Sequence, residues 1–149
     1  PCDFENPTSG DIIGFFIRMK GRFTGFYVPT WQDDVPFIAS ATSGASTLTV
    51  SGPEFKAAYE DSDVYNVLIA FWSDGSHQLN RIIGCANNAD GDTELTFRDA
   101  WDQDFTPKTR VCFCPLVRFA SDTLSVSRYT ATVTEVEFMM QTVPNVENA

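Results

Sequence analysis

Histidine is almost missing from this chain: His77 is the only one in 149 residues. A catalytic triad or a multi-histidine metal site would have to be built around that one imidazole. Its neighbours Ser73, Asp74 and Ser76 lie in one short turn, whereas triad members converge from separate elements. A polar hairpin tip is the expected reading. Basic charge is scarce as well. Ten Lys and Arg stand against twenty Asp and Glu, a net charge of −10, which argues against gripping nucleic acid because that needs a basic footprint. No run of eighteen or more apolar residues occurs, so no membrane-spanning helix is expected. The start, Pro1-Cys2-Asp3-Phe4-Glu5, has neither a basic n-region nor an apolar h-region, so no secretory leader is expected there. P-loop, dinucleotide fingerprint and nucleophile elbow are all absent.

The remaining candidates for chemistry are weak in the same way. Of the four cysteines, Cys2, Cys85, Cys112 and Cys114, only Cys112-Phe113-Cys114 forms a close pair, and that spacing fits no zinc knuckle. In a strand both thiols share one face. They are expected to be small buried hydrophobes beside a third, with a metal or cluster site shared with Cys85 and Cys2, or disulfides, as the alternatives. Asp90-Gly91-Asp92-Thr93-Glu94 invites a calcium reading, but with Gly91 as the sixth position of an EF-hand loop the first is Ala86 and the twelfth Phe97. A glycine hairpin turn is expected, with a loose surface cation site as the alternative. Asp33-Asp34, and Asp99, Asp102 and Asp104 around Trp101, supply the carboxylates that glycoside hydrolysis uses. Spacing alone does not set two of them across a bond, so solvated turn acids are expected, with no enzyme activity and no cofactor.

What the chain has in abundance is phenylalanine, thirteen of them, within a hydrophobic content of 43% that excludes a disordered chain. Phe23, Phe26, Tyr27 and Trp31 fall within nine residues, enough aromatic area to anchor a small core. Ahead of them Thr8-Ser9-Gly10-Asp11 matches a capping box, and Ile12, Ile13, Phe16, Ile17 and Lys20 follow a helical spacing that Phe15 and Met19 widen. A helix over 9–20 is predicted, stopped by Gly21, and a strand over 22–28. Strand patterns follow at 47–50, 65–72, 78–86, 93–98 and 110–116, with one helical turn at 53–59 and Gly- or Asp-bearing turns at 73–76 and 87–92. Two more are expected at 123–128 and 131–143. The predicted class is mainly β: an antiparallel sheet or sandwich with one N-terminal helix, formed by 1–36 and 115–149. A small SH3-like or OB-like barrel of residues 37–114 is expected as an insertion in it.

The stretch Gly21-Arg22-Phe23-Thr24-Gly25-Phe26-Tyr27-Val28-Pro29-Thr30-Trp31-Gln32-Asp33-Asp34 resembles a segment of tailed-bacteriophage tail-tip, or distal (minor) tail, proteins. In these a helix is followed by a strand ending in a Pro-x-Trp-x-Asp type of turn. Ala45-Ser46-Thr47-Leu48-Thr49-Val50, Leu68-Ile69-Ala70-Phe71-Trp72, Thr93-Glu94-Leu95-Thr96-Phe97 and Thr109-Arg110-Val111-Cys112-Phe113-Cys114-Pro115 resemble the later strands in order. The departure is at the front, where only residues 1–8 precede the helix. The resemblance implies a virion protein made in the host cytoplasm, touching other tail proteins and copies of itself, assembled as a ring or as a subunit around the tail axis. It implies no tight nucleic-acid binding, although DNA passes nearby. Subunit contacts are enriched in aromatics, which marks Tyr27, Trp31 and Trp101, with Trp72, as interface anchors. An acidic wall would repel passing DNA, which marks Asp90, Asp92, Glu94, Glu135 and Glu137. The alternative is a barrel module that binds a glycan or another host-surface ligand.

Overall fold

The computed structural model of the protein describes residues 8–38, 41–130 and 133–145. Among the described residues strands take 35% and helices 14%, so the fold is mainly β, and every ladder between them is antiparallel. In chain order the elements are α1 (Ser9–Arg18), a 3-10 turn (Gly21–Phe23), β1 (Phe26–Tyr27), β2 (Thr47–Val50) and α2 (Glu54–Tyr59). Then come β3 (Val67–Phe71), β4 (His77–Asn87), β5 (Thr93–Phe97), β6 (Arg110–Phe113), β7 (Leu116–Phe119), β8 (Ser125–Arg128), β9 (Thr134–Glu137) and β10 (Met140–Thr142).

The chain divides into two compact units: Val28–Pro115 with Pro144–Ala149, hereafter the barrel unit, and Pro1–Tyr27 with Leu116–Val143, the sheet-and-helix unit. Residues 28–36, grouped by the sequence reading with the helix, fall in the barrel unit.

The barrel unit is a five-stranded sheet in the order β2-β5-β4-β3-β6. Strands β3, β4 and β5 form a meander and β6 returns beside β3, a Greek-key arrangement. The eleven-residue β4 bends at a register shift between Ile82 and Gly84, so its first half pairs with β3 and its second with β5. Such bulges increase local twist, and the sheet curls into a half-barrel. The small barrel expected from the sequence thus takes the form of a half-barrel, since among the described residues no ladder joins β2 to β6. Both free edges are met instead by residues 28–38. At the β6 edge Val28 N donates to Pro115 O at 3.2 Å, Thr30 N to Phe113 O at 3.0 Å, and Phe113 N to Asp34 Oδ2 at 3.1 Å. At the β2 edge Ser51 N donates to Pro36 O at 3.2 Å and Ile38 N to Thr49 O at 2.9 Å.

Inside the curl, alternate strand residues Leu48, Val50, Leu68, Ala70, Leu95, Phe97, Val111 and Phe113 converge with Val35 from the strap formed by residues 28–38 and Phe55 from α2. Trp72, Trp101 and Phe105 fill the centre edge to face, with Trp101 centroids 6.3 Å from Trp72, 5.0 Å from Phe105 and 4.9 Å from Phe97. The Trp72 indole donates to Asp104 O at 3.1 Å. Trp101 Nε1 finds no acceptor.

The sheet-and-helix unit holds a three-stranded sheet, β1-β7-β10, and a ribbon of β8 and β9. The single exit strand predicted over 110–116 is in fact two, β6 and β7, belonging to different sheets. Cys114-Pro115 separates them, and Pro115 has no N–H to carry a ladder through. The predicted final strand over 131–143 likewise divides into β9 and β10. The predicted helix ends early, at Arg18, because Lys20 and Gly21 both adopt the left-handed conformation (φ 53° and 58°). Of the predicted strand over 22–28, Arg22 and Phe23 consequently belong to the 3-10 turn, and Phe26 and Tyr27 form β1.

Because Trp101 is buried with an unpaired N–H, its two truncations should differ. Trp101→Ala should cost about 3–5 kcal/mol in urea unfolding. Trp101→Phe, which also removes the unsatisfied donor, should cost less than about half of that. Equal losses would mean that the indole is not central to the core.

Candidate interaction surface

The sheet-and-helix unit begins with a well-built helix. Thr8 Oγ1 accepts from Asp11 N at 3.3 Å while Asp11 Oδ2 accepts from Thr8 N at 2.9 Å, closing the predicted capping box. The Thr8 hydroxyl and amide hold the Asp11 carboxyl below its usual range. The helix lays Phe15 and Phe16 against the sheet, where Phe15 meets Phe26 at 4.9 Å, Phe16 meets Phe119 at 4.7 Å and Phe119 meets Phe138 at 5.5 Å.

That aromatic cluster is nearly the whole of its core. Among the described residues of the unit, the buried apolar side chains are Phe16, Val117 and Phe119. Against them, Phe23 is 80% exposed, Met139 74% and Ile17 67%, and Tyr129, Val133, Phe138 and Met140 are exposed as well. Ile17, placed by helical spacing on the inner face, thus looks outward. A sheet whose outer strands are two and three residues long has little face with which to cover them. Fully burying one such side chain is worth roughly 1.5–3 kcal/mol.

Charge divides along the same boundary. The sheet-and-helix unit has five Lys and Arg against six Asp and Glu, a net of −1, whereas the barrel unit has five against fourteen, a net of −9. The chain's acidity belongs almost wholly to the barrel unit.

The residues marked in the sequence fall on different parts of this picture. Tyr27, on β1, is 43% exposed. Glu135 and Glu137 project from one face of β9, both exposed, and Tyr129 donates its hydroxyl to Glu135 Oε2 at 2.5 Å. Asp90 and Glu94 are exposed on the barrel unit, and Asp92 Oδ1 accepts from Gly52 N at 3.0 Å. Trp101 is the correction: at 1% exposure it lies in the half-barrel core and offers nothing to a partner. Trp72 is also buried.

Trp31 is the most exposed tryptophan, at 64%. Its backbone is left-handed (φ 62°), a conformation costing a non-glycine residue about 1–2 kcal/mol. Neighbouring bonds over-determine it. Thr30 and Asp34 are bonded side chain to side chain across it, and Asp34 is fixed to the β6 backbone. The indole stacks on Phe71 at 5.3 Å and 23°, and Phe71 in turn lies 6.0 Å from the His77 ring. The three rings form a ledge on the outer side of β3 and β4.

Two of the carboxylates considered for chemistry brace turns. Asp74 accepts from the Ser76 hydroxyl at 2.6 Å, from Ser76 N at 2.9 Å and from Gln103 Nε2 at 3.1 Å, which keeps its carboxyl below the usual range and engages it with the turn rather than with His77. Asp104 Oδ1 accepts from Ser43 N at 2.7 Å. Among the described residues no three His, Cys, Asp or Glu side chains gather as a metal site, and no helix is long and apolar enough to cross a membrane. Cys112 and Cys114 are buried beside Val67 and Ile69, and Cys85 is half-buried; Cys2 lies outside the described residues. Burial, and then the neighbouring Cys112, push the Cys114 thiol up to about 12.

The exposed apolar set of the sheet-and-helix unit was missed in the sequence, although Phe138-Met139-Met140 carried a signal. Three consecutive apolar residues break the alternation of β9, so a strand through them shows an apolar group on either face. No protein-family model matches the chain, and no curated protein matches it.

Trp31→Gly removes the backbone strain together with the stacking on Phe71, worth about 0.5–1.5 kcal/mol, so its unfolding free energy should stay within about 1 kcal/mol of the parent. A larger loss in chemical denaturation would make Trp31 a folding residue rather than a surface one. For Cys114 the folded-state value is raised, so its contribution is fully present below the ordinary thiol value near 9 and lost as pH climbs from there toward 12. Stability measured over that window should fall, and the part of the slope due to this thiol should vanish in Cys114→Ala.

Proposed function

We propose that the chain is a structural, non-enzymatic subunit of a bacteriophage tail tip, joined through its sheet-and-helix unit to copies of itself and to other tail proteins. The observation that carries this reading is the imbalance of that unit, in which, among the described residues, three apolar side chains are buried while Phe23, Ile17, Met139 and others face outward. A near-neutral unit with uncovered apolar surface is suited to association. A strongly acidic one is suited to keeping passing DNA from adhering, because phosphate is repelled over roughly one Debye length, about 8–10 Å. The ordered sequence resemblance to tail-tip proteins supplies the particular setting, a virion component made in the host cytoplasm.

A second reading has one observation in its favour. The Trp31, Phe71 and His77 ledge presents an exposed indole face held by a strained backbone, the kind of platform on which a sugar ring stacks. If the barrel unit binds a host glycan, Trp31 rather than Trp101 is the residue that does so.

Light scattering coupled to size exclusion, with negative-stain microscopy of the same fractions, tests the main reading. The parent protein should form assemblies of defined stoichiometry. Ile17→Glu with Met139→Glu should weaken them by about tenfold or more, as for central interface residues, without loss of the circular-dichroism signal. A monomer at every concentration up to the solubility limit would refute it.

A further inference from the structure

Three of the ten Lys and Arg residues, Lys20, Arg22 and Arg118, line one shallow concavity of about 790 Å³ in the sheet-and-helix unit, with Phe23 and the single acid Asp122. On a chain of net charge −10 this is a local reversal of sign, and the structure is arranged to hold it. Asp122 Oδ1 accepts from Arg22 N at 3.1 Å and Oδ2 pairs with Arg22 Nε at 3.0 Å. Gly21 makes room for that clamp, since a Cβ on it would sit 2.6 Å from Asp122 Oδ1. Arg118 is oriented by its cross-strand partner Gln141, whose amide oxygen, turned toward it, accepts from Nε at 2.7 Å and Nη2 at 2.8 Å. Lys20 is left over. Its ammonium stands 5.9 Å from the Phe23 ring, and its backbone is held left-handed at a position where glycine is the usual residue.

The same unit carries the complementary feature. Glu135 and Glu137 are two residues apart on β9 and so share a face. Across the ribbon they stand opposite Ser127 and Ser125, uncharged partners. Neither is in an ion pair among the described residues. The Tyr129 hydroxyl fixes Glu135, and exposed Val133 lies on the same face of the ribbon.

We propose that the concavity of Lys20, Arg22, Phe23 and Arg118 receives the Glu135–Glu137 ribbon of a second copy of this chain. The occupant follows from charge complementarity: a two-carboxylate strand flanked by an apolar side chain matches a cationic hollow with an uncovered aromatic ring. Each copy carries one hollow and one ribbon, so the contact can repeat from copy to copy. This rests on the assembly reading above and supplies its contact.

Sedimentation of the full chain at low and high salt, with charge-swapped variants, tests it. Lys20→Glu with Arg118→Glu, and separately Glu135→Lys with Glu137→Lys, should each weaken association by about tenfold or more. The variant carrying all four changes should recover it, and parent association should weaken as salt rises. Because Arg118 also supports the sheet, Lys20→Gly serves as a second probe. It relieves the left-handed strain, so it should leave the fold intact while weakening association. If the parent associates but neither reversed pair nor Lys20→Gly weakens it, or the fourfold variant fails to recover, the proposed contact is wrong while the assembly reading stands. A parent that stays monomeric overturns both.

Discussion

Everything in the barrel unit depends on how a five-stranded sheet that curls without closing is kept from exposing two raw edges. Residues 28–38 solve this by running along both, bonded to the Phe113 and Pro115 carbonyls on the β6 side and to Thr49 and Ser51 on the β2 side. Between these two sets of bonds the strap inserts Val35, which has no solvent exposure, into the aromatic interior. An unpaired edge is a template for uncontrolled strand addition, and a strap removes that template without the register constraints of a closed barrel. The same tethering holds Trp31 in a backbone conformation it would not adopt alone. The ledge on the outer sheet surface is therefore a product of edge protection.

Local chemistry in the sequence located the elements well. The capping box at Thr8 and Asp11 is a four-residue signal, and the alternation over 47–50 and 93–98 needs only neighbours to be recognised. The bulge in β4 and the division of the exit strand at Pro115 depend on which strand each segment pairs with, which is a non-local matter. The largest misreading of the candidate site has the same origin. Trp31 and Trp101 both sit in acidic, turn-like stretches and look equivalent in sequence, yet Trp101 is carried into the centre of the curl by its turn while Trp31 is turned out by its φ of 62°. Ile17 was misplaced for a different reason. Helical periodicity identifies an apolar stripe, but how much of that stripe is covered depends on the width of the opposing sheet, and here that sheet is narrow.

The distribution of charge sharpens the argument about association. Identical copies of a chain with net charge −10 repel one another, so a contact between copies has to be made where repulsion is weakest and apolar gain greatest. The barrel unit, at −9, fails the first condition. The sheet-and-helix unit, at −1, satisfies both. Its two sides differ as well: the Lys20 hollow is cationic and the β9 ribbon anionic, so a neighbour is attracted in one orientation and repelled when like patches face each other. Apolar area alone would drive association without fixing its direction, and in the contact proposed above it is the placement of these few charges that would select one packing from many. The left-handed Lys20 bears on this directly. Glycine would serve the helix terminus with less strain, and the residue there instead is one whose ammonium completes the hollow.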